Sequence, residues 1–282
     1  MRFEPLTPHI GADVLGLDLK KPLSQAEADQ LYGGLIKHLV LFIPDQELAP
    51  RAHEALAASF GPLEPPHPLY PHLPGHEPIM LLEYGPDRRP DNDVWHSDVT
   101  FKQEPPFASV LLSKIIPPTG GDTLWASMYA AYEALSSPLQ KLLDGLEASH
   151  DIFTGFGMLE PGDDRYERLQ KLDRKAHTVR HPVVLTHPIS GRKALYVNSS
   201  FTSHIIGLRP AESRALLDLL FEHVKSPEFQ VRLRWRPNMI AIWDNRSTQH
   251  FAVSDYYPAR RLMHRITVTR DSRVGTTRAA AE

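Results

Sequence analysis

His96 and Asp98, two residues apart in Asn92-Asp93-Val94-Trp95-His96-Ser97-Asp98-Val99-Thr100-Phe101, are the side chains whose types and spacing best suit metal chemistry. In an extended strand, residues i and i+2 point to one face. A neutral imidazole and a carboxylate are then expected to aim at one point, their residues about 7 Å apart along the strand. A third ligand is available in Met239-Ile-Ala-Ile-Trp-Asp-Asn-Arg-Ser-Thr-Gln-His250, where an apolar strand runs into a turn-like cluster and His250 follows. Two histidines and a carboxylate make a facial triad, which leaves three coordination positions of ferrous iron open. Each part also has an ordinary reading, as an exposed histidine beside a strand-end acid or as a surface histidine after a turn.

A second feature lies in Arg261-Leu-Met-His-Arg-Ile-Thr-Val-Thr269. Alternation of period two puts Arg261, Met263, Arg265 and Thr267 on one face and Leu262, His264, Ile266 and Val268 on the other. The strand alone leaves open which face looks inward. If the arginine face does, two permanent cations stand there with no acid nearby in sequence, and each needs an anion or a set of acceptors. The planar guanidinium fork suits carboxylate, phosphate or sulfonate.

The elements that must position these residues are short. Ser24 to Glu27 has the pattern of a capping box opening a helix toward His38, and a second helix is expected over 50–60. Strand-like runs punctuated by Gly and Pro follow at 79–83, 109–116, 122–126, 179–186, 194–198, 239–243 and 262–269, with helices at 128–135, 138–146 and 210–224. The expected fold is mainly β with helical insertions, a jelly-roll (double-stranded β-helix) core in a single domain over 1–270. The stretch 155–175 reads as a polar, irregular loop, either a lid or a simple exposed loop, and 271–282 as a frayed tail.

Composition narrows the function. The 282 residues carry a formal net charge of -3, which gives no field to draw nucleic acid or an anionic membrane. No apolar run is long enough to span a bilayer, and Met1 to Asp13 lacks the apolar run of a secretory signal, so a cytoplasmic location is expected. With no cysteine, any metal must be held through nitrogen and oxygen.

The order His-x-Asp, then Trp-Asp-Asn-Arg-x-x-x-His, then an arginine eleven residues beyond that histidine, resembles the taurine dioxygenase family of Fe(II)- and 2-oxoglutarate-dependent oxygenases, from Gly11 through Thr269. The resemblance implies that His96, Asp98 and His250 hold Fe(II). It implies that Arg261, with Thr123 of Gly120-Gly-Asp-Thr123, binds the far carboxylate of 2-oxoglutarate. It assigns His67, Tyr70, Asn92, Val99, Phe156, Phe201 and Arg265 to the substrate pocket, Arg265 gripping a sulfonate. The activity it implies uses O2 to hydroxylate the carbon next to sulfur in taurine or a related small sulfonate, releasing sulfite, an aldehyde, succinate and CO2. Around Phe153-Thr-Gly-Phe156 the pattern departs from the taurine enzyme. A sulfate ester, an aryloxyalkanoate or a biosynthetic intermediate therefore stands as an alternative substrate, and a non-catalytic metal-binding jelly roll as an alternative class. A homodimer or tetramer is also implied.

Overall fold

Ser24 closes the capping box expected of it. Its hydroxyl accepts from the Glu27 amide, and the Glu27 carboxylate accepts from the Ser24 amide at 2.8 Å. The helix it opens, Gln25–His38, buries Leu31 and Leu35, and helix Pro50–Ala58, with proline in its first turn, buries His53, Leu56 and Ala57. The computed structural model describes residues 1–67, 69–157 and 159–274. Among these, no helix is long and apolar enough to cross a membrane.

Both helices cover one face of an eight-stranded sheet. Its order is Arg2–Pro5, Ala12–Leu15, Val40–Ile43, Ile240–Asp244, Ala108–Ile115, Arg261–Val268, His76–Tyr84 and His72–Leu73. Its pairings are antiparallel except for Ala12–Leu15 against Val40–Ile43. Ile240, Ile242, Ile266 and Val268 point to the helices and pack with Leu35 and Leu56. Ala241, Trp243, Met263, Leu111 and Leu82 point the other way. There they meet Trp125, Val231 and Leu233 of a three-stranded sheet ordered Gln230–Leu233, Thr123–Ser127, Thr248–Ala252. Two sheets around one interior, dressed with helices, make the jelly-roll core.

This packing decides the orientation of strand Arg261–Val268. Ile266 and Val268 are fully buried against the helices, each worth ~1.5–3 kcal/mol. A one-residue slip would exchange the two faces, so the packed side fixes the other. Arg261, Met263, Arg265 and Thr267 therefore line the interior.

The structure corrects several expectations. The stretch 155–175 is not an irregular loop: it holds helix Asp164–Gln170, whose N-cap Asp163 accepts from the Arg165 amide. Leu169 there packs with Leu69, Phe101, Ile152 and Phe201. The run 179–186 is two strands, Thr178–Pro182 and Val184–Thr186, in different sheets. Pro182 has no amide to donate, and the chain changes partners just after it. Asp271, expected in the tail, is buried and accepts from Tyr32 Oη at 2.8 Å and from Arg246 at 3.2 Å. Residues 275–282 lie outside the described residues.

Two buried histidines give the fold a pH dependence. His53 contacts the Val110 carbonyl at 3.2 Å and His150 the Thr100 hydroxyl at 2.9 Å, and burial pushes both down to about 3. The unfolded chain takes up protons at these rings near pH 6.5, while the folded chain keeps them neutral. Stability is thus complete above about pH 6.5 and is lost as pH falls from there toward 3. The urea midpoint should be lower at pH 5 than at pH 7.5. An equal midpoint would show these rings to be solvated.

Candidate active site

His96 and Asp98 do not lie on a regular strand, contrary to the expectation from their spacing. His96 makes a single antiparallel bridge to His250: its amide donates to the His250 carbonyl at 3.0 Å, and its carbonyl accepts from the His250 amide at 2.8 Å. The chain then turns at Asp98, and Val99 takes a left-handed conformation with φ of 55°. A β-branched residue there is strained and needs its surroundings to hold it. The Asn245 side chain supplies that hold: it accepts from the Asp98 amide at 2.6 Å and donates to the Asp98 carbonyl at 2.9 Å. The turn expected after the apolar strand spans 245–247, and His250 follows it within strand Thr248–Ala252.

The bridge brings the two imidazole centroids to 4.1 Å with their planes tilted by 48°, and leaves Asp98 Oδ1 3.6 Å from His96 Nε2 and 3.7 Å from His250 Nε2. One ligand atom from each of the three residues lies within 4.8 Å of the others, so the triad is spatially assembled. The His96 Nδ1–H donates to the Val94 carbonyl at 2.7 Å, which leaves the Nε2 lone pair free for a metal. Burial lowers the pKa of both rings, so they are neutral at pH 7, the form that binds metals. Burial also raises Asp98, but Arg265, His250 and His96 outweigh it and hold the carboxyl far below its usual range. Its second oxygen, Oδ2, accepts from Arg265 Nη2 at 2.5 Å and from the Ser109 hydroxyl at 3.1 Å. The carboxylate is thereby divided, one oxygen toward the histidines and one toward Arg265.

Arg261 is only 3% exposed, forms no ion pair among the described residues and has a buried, unpartnered Nε. Burial lowers its pKa, opposed by Tyr256, which also hydrogen-bonds it, by Tyr84 and by the more distant charge of Asp122. Beside it, Thr123 Oγ1 accepts from the Trp235 indole at 2.9 Å, which leaves the hydroxyl proton to donate elsewhere. The glycine pair before it is explained by contact. A Cβ on Gly120 would come within 2.4 Å of the Asp255 carboxylate, and one on Gly121 within 3.3 Å of Arg261. Both glycines have positive φ.

One cavity is lined by all twelve candidate residues: His67, Tyr70, Asn92, His96, Asp98, Val99, Thr123, Phe156, Phe201, His250, Arg261 and Arg265. Phe201 stands edge-on to His96 at 6.4 Å and to Phe101 at 5.1 Å, and Tyr70 meets Phe156 at 6.5 Å. His67 Nδ1 accepts from the Leu69 amide, so Nε2 carries the proton. Burial, then Arg265, Lys102 and His72, push this ring down to about 3, which keeps it a neutral donor.

Comparison with known proteins decides what this arrangement belongs to. A family model described as taurine catabolism dioxygenase TauD, TfdA family, matches residues 2–267. The chain belongs to the TauD/TfdA dioxygenase family. It is 37% identical over 276 residues to an alpha-ketoglutarate-dependent sulfate ester dioxygenase of Pseudomonas putida, covering 96% of this chain and 90% of the relative. It is 36% identical to an alkylsulfatase of Acinetobacter baylyi, covering 98% and 87%. A solved taurine dioxygenase from Burkholderia xenovorans superimposes with a TM-score of 0.82 at 36% identity, covering 96% of this chain and 89% of that one.

In this TauD/TfdA dioxygenase, sequence reasoning missed the residues that hold the candidate ligands in place. Asn245 was visible inside Trp-Asp-Asn-Arg, where a side chain following a strand-end aspartate is a turn signal, but not a clamp on a residue 147 positions away. Ser109 and Trp235 carry no local signal, because their partners come from distant strands.

Proposed function

We propose that the chain is an Fe(II)- and 2-oxoglutarate-dependent dioxygenase that hydroxylates the carbon next to the sulfo group of a small sulfonate or the sulfate oxygen of an alkyl sulfate. The observation that carries this reading is Arg261, a buried cation with no acid of its own in the cavity that also holds the triad. A metal-binding protein without a cosubstrate has no use for such a group, because burying it unpaired costs several kcal/mol.

Two neutral imidazoles and a carboxylate, with no sulfur donor, suit ferrous iron, so His96, Asp98 and His250 would hold it. With 2-oxoglutarate bound as well, the site supplies one oxygen atom from O2 to the substrate while 2-oxoglutarate becomes succinate and CO2. Arg261 and the free proton of Thr123 would fix the far carboxylate of 2-oxoglutarate. Arg265 commits one nitrogen to Asp98, and its unpartnered Nε is available to the sulfo oxygens, with His67 Nε2–H as a second donor. Val99, Phe101, Phe156 and Phe201 would exclude water and hold the organic tail. Placing the reacting carbon is the protein's main contribution to rate. Hydroxylation next to a sulfonate gives an α-hydroxysulfonate that collapses to sulfite and an aldehyde. A hydroxylated sulfate ester collapses to sulfate and an aldehyde.

A panel of alkanesulfonates, alkyl sulfates and aryloxyacetates, scored by succinate formed and by sulfite or sulfate released, tests the reading. Sulfur oxyanion release dependent on Fe(II) and 2-oxoglutarate is the expected outcome. Arg265→Ala should lower kcat/KM on the best substrate by about 100-fold, the loss of one or two charged hydrogen bonds, while anaerobic Fe(II) and 2-oxoglutarate still give a weak visible charge-transfer band. Loss of the band as well would overturn the separation of roles.

A further inference from the structure

Two charges in the cavity wall have no task in this reaction. Glu64 and Lys102 line the same cavity, beside Pro65, Pro66, His67 and Phe101, and Lys102 Nζ donates to Glu64 Oε2 at 2.7 Å. Their backbones are anchored separately. The Glu64 amide donates to the Thr267 carbonyl at 2.8 Å, at the end of strand Arg261–Val268. Lys102 closes the turn after Asp98, its amide donating to Val99 and its carbonyl accepting from His181 Nε2 at 3.0 Å. The ion pair therefore ties the 63–67 wall to the 99–102 wall.

The pair is asymmetric: the Glu64 side chain is 12% exposed and that of Lys102 43%. Among the described residues lining the cavity, the acids are Asp98, which faces the histidines, and Glu64. Its one ion-pair partner among the described residues is Lys102. Arg265 and Lys102 both act on the His67 ring, which places the headgroup cation and the wall cation in one neighbourhood.

We propose that Lys102 masks Glu64 and so makes the cavity select substrates whose far end is uncharged. This rests on the reading that Arg265 holds the anionic headgroup beside the triad. A terminal ammonium must displace Lys102 to reach Glu64, trading one ion pair for another while losing its own hydration. A terminal carboxylate must displace Glu64, which is too buried to be rehydrated and would stand unpaired. An alkyl or aryl tail meets neither cost and gains contact with Phe101 and the two prolines. The pair is thus a specificity element, discriminating by what it refuses.

The test is a charge-swap cycle. Lys102→Met, Glu64→Gln and the double variant are compared with the parent on 1-butanesulfonate, 3-aminopropanesulfonate and 3-sulfopropionate. Readouts are kcat/KM by sulfite release and anaerobic binding by calorimetry. Lys102→Met should raise the aminopropanesulfonate-to-butanesulfonate ratio about tenfold, equivalent to ~1.4 kcal/mol. Glu64→Gln should raise the sulfopropionate ratio by a similar factor, and the double variant should do neither. Unmoved ratios in a single variant that still turns over butanesulfonate overturn the proposal. Should Lys102→Met melt because the buried Glu64 carboxylate is left unpaired, Glu64→Gln decides by itself. A parent that converts none of the three is carried through the same cycle on the matching alkyl sulfates, read by sulfate release; failure on both sets overturns the functional reading, and the proposal with it.

Discussion

Asp98→Ala is expected to abolish iron retention and to lower turnover by at least ~1000-fold, a loss of ~4 kcal/mol or more in transition-state stabilisation. Asp98 is the one anion among the three candidate ligands, and its Oδ1 lies within 3.7 Å of both histidine nitrogens. Two neutral imidazoles alone hold a divalent ion weakly. The substitution has a second effect that a simple ligand role does not predict. Oδ2 is the charge partner of Arg265, whose side chain is 11% exposed. Removing one member of a buried pair strands the other, at ~3–5 kcal/mol. The metal-free Asp98→Ala protein should therefore melt well below the parent, and Asp98→Ala with Arg265→Met should recover most of that loss. Iron analysis after anaerobic reconstitution checks the first effect and calorimetric melting the second. Iron retained at parent stoichiometry would remove Asp98 from the ligand set.

Arg261→Met should act in opposite directions on function and stability. The 2-oxoglutarate requirement is expected to rise by about 100-fold or more, because a bidentate contact to carboxylate contains two charge-assisted hydrogen bonds worth ~1.5–3 kcal/mol each. The metal-free protein should be unchanged or more stable by ~1–3 kcal/mol, since Arg261 is buried without an acid partner and methionine removes that cost. Titration of 2-oxoglutarate in the turnover assay and urea unfolding of the apoprotein measure the two. A large loss of apoprotein stability would mean that Arg261 is held by the fold itself, through Tyr256 and Tyr84, and not kept for a ligand. An unchanged 2-oxoglutarate requirement would give it another job. The two substitutions differ because Asp98 has a charged partner in Arg265, whereas Arg261 has no ion-pair partner among the described residues.

Much of this site was legible in the chain. The alternation in Arg261-Leu-Met-His-Arg-Ile-Thr-Val holds both arginines on one face whatever the surroundings, because the pleat has period two. The spacing of His96, Asp98, His250 and Arg261 carries the family resemblance by itself. The capping box at Ser24 and the punctuation of the strands also appeared nearly in place, since caps and turns are local hydrogen-bond problems.

Other features depended on contacts that no local rule contains. Period two could not say which face of strand Arg261–Val268 looked inward; the packing of Ile266 and Val268 against Leu35 and Leu56 did. The extended His-x-Asp geometry read from spacing gave way to one bridge and a strained turn at Val99, held by Asn245. Arg265, which has no acid near it in sequence, finds its partner in Asp98. Helix Asp164–Gln170 in the supposed loop is too short to show a period and is fixed by Leu169 in an apolar cluster. The triad was thus determined by the sequence as a set of residue types and intervals. How its carboxylate is shared, and that Lys102 neutralises Glu64 beside it, were decided by tertiary structure, because each joins segments that only strand register brings within hydrogen-bond reach.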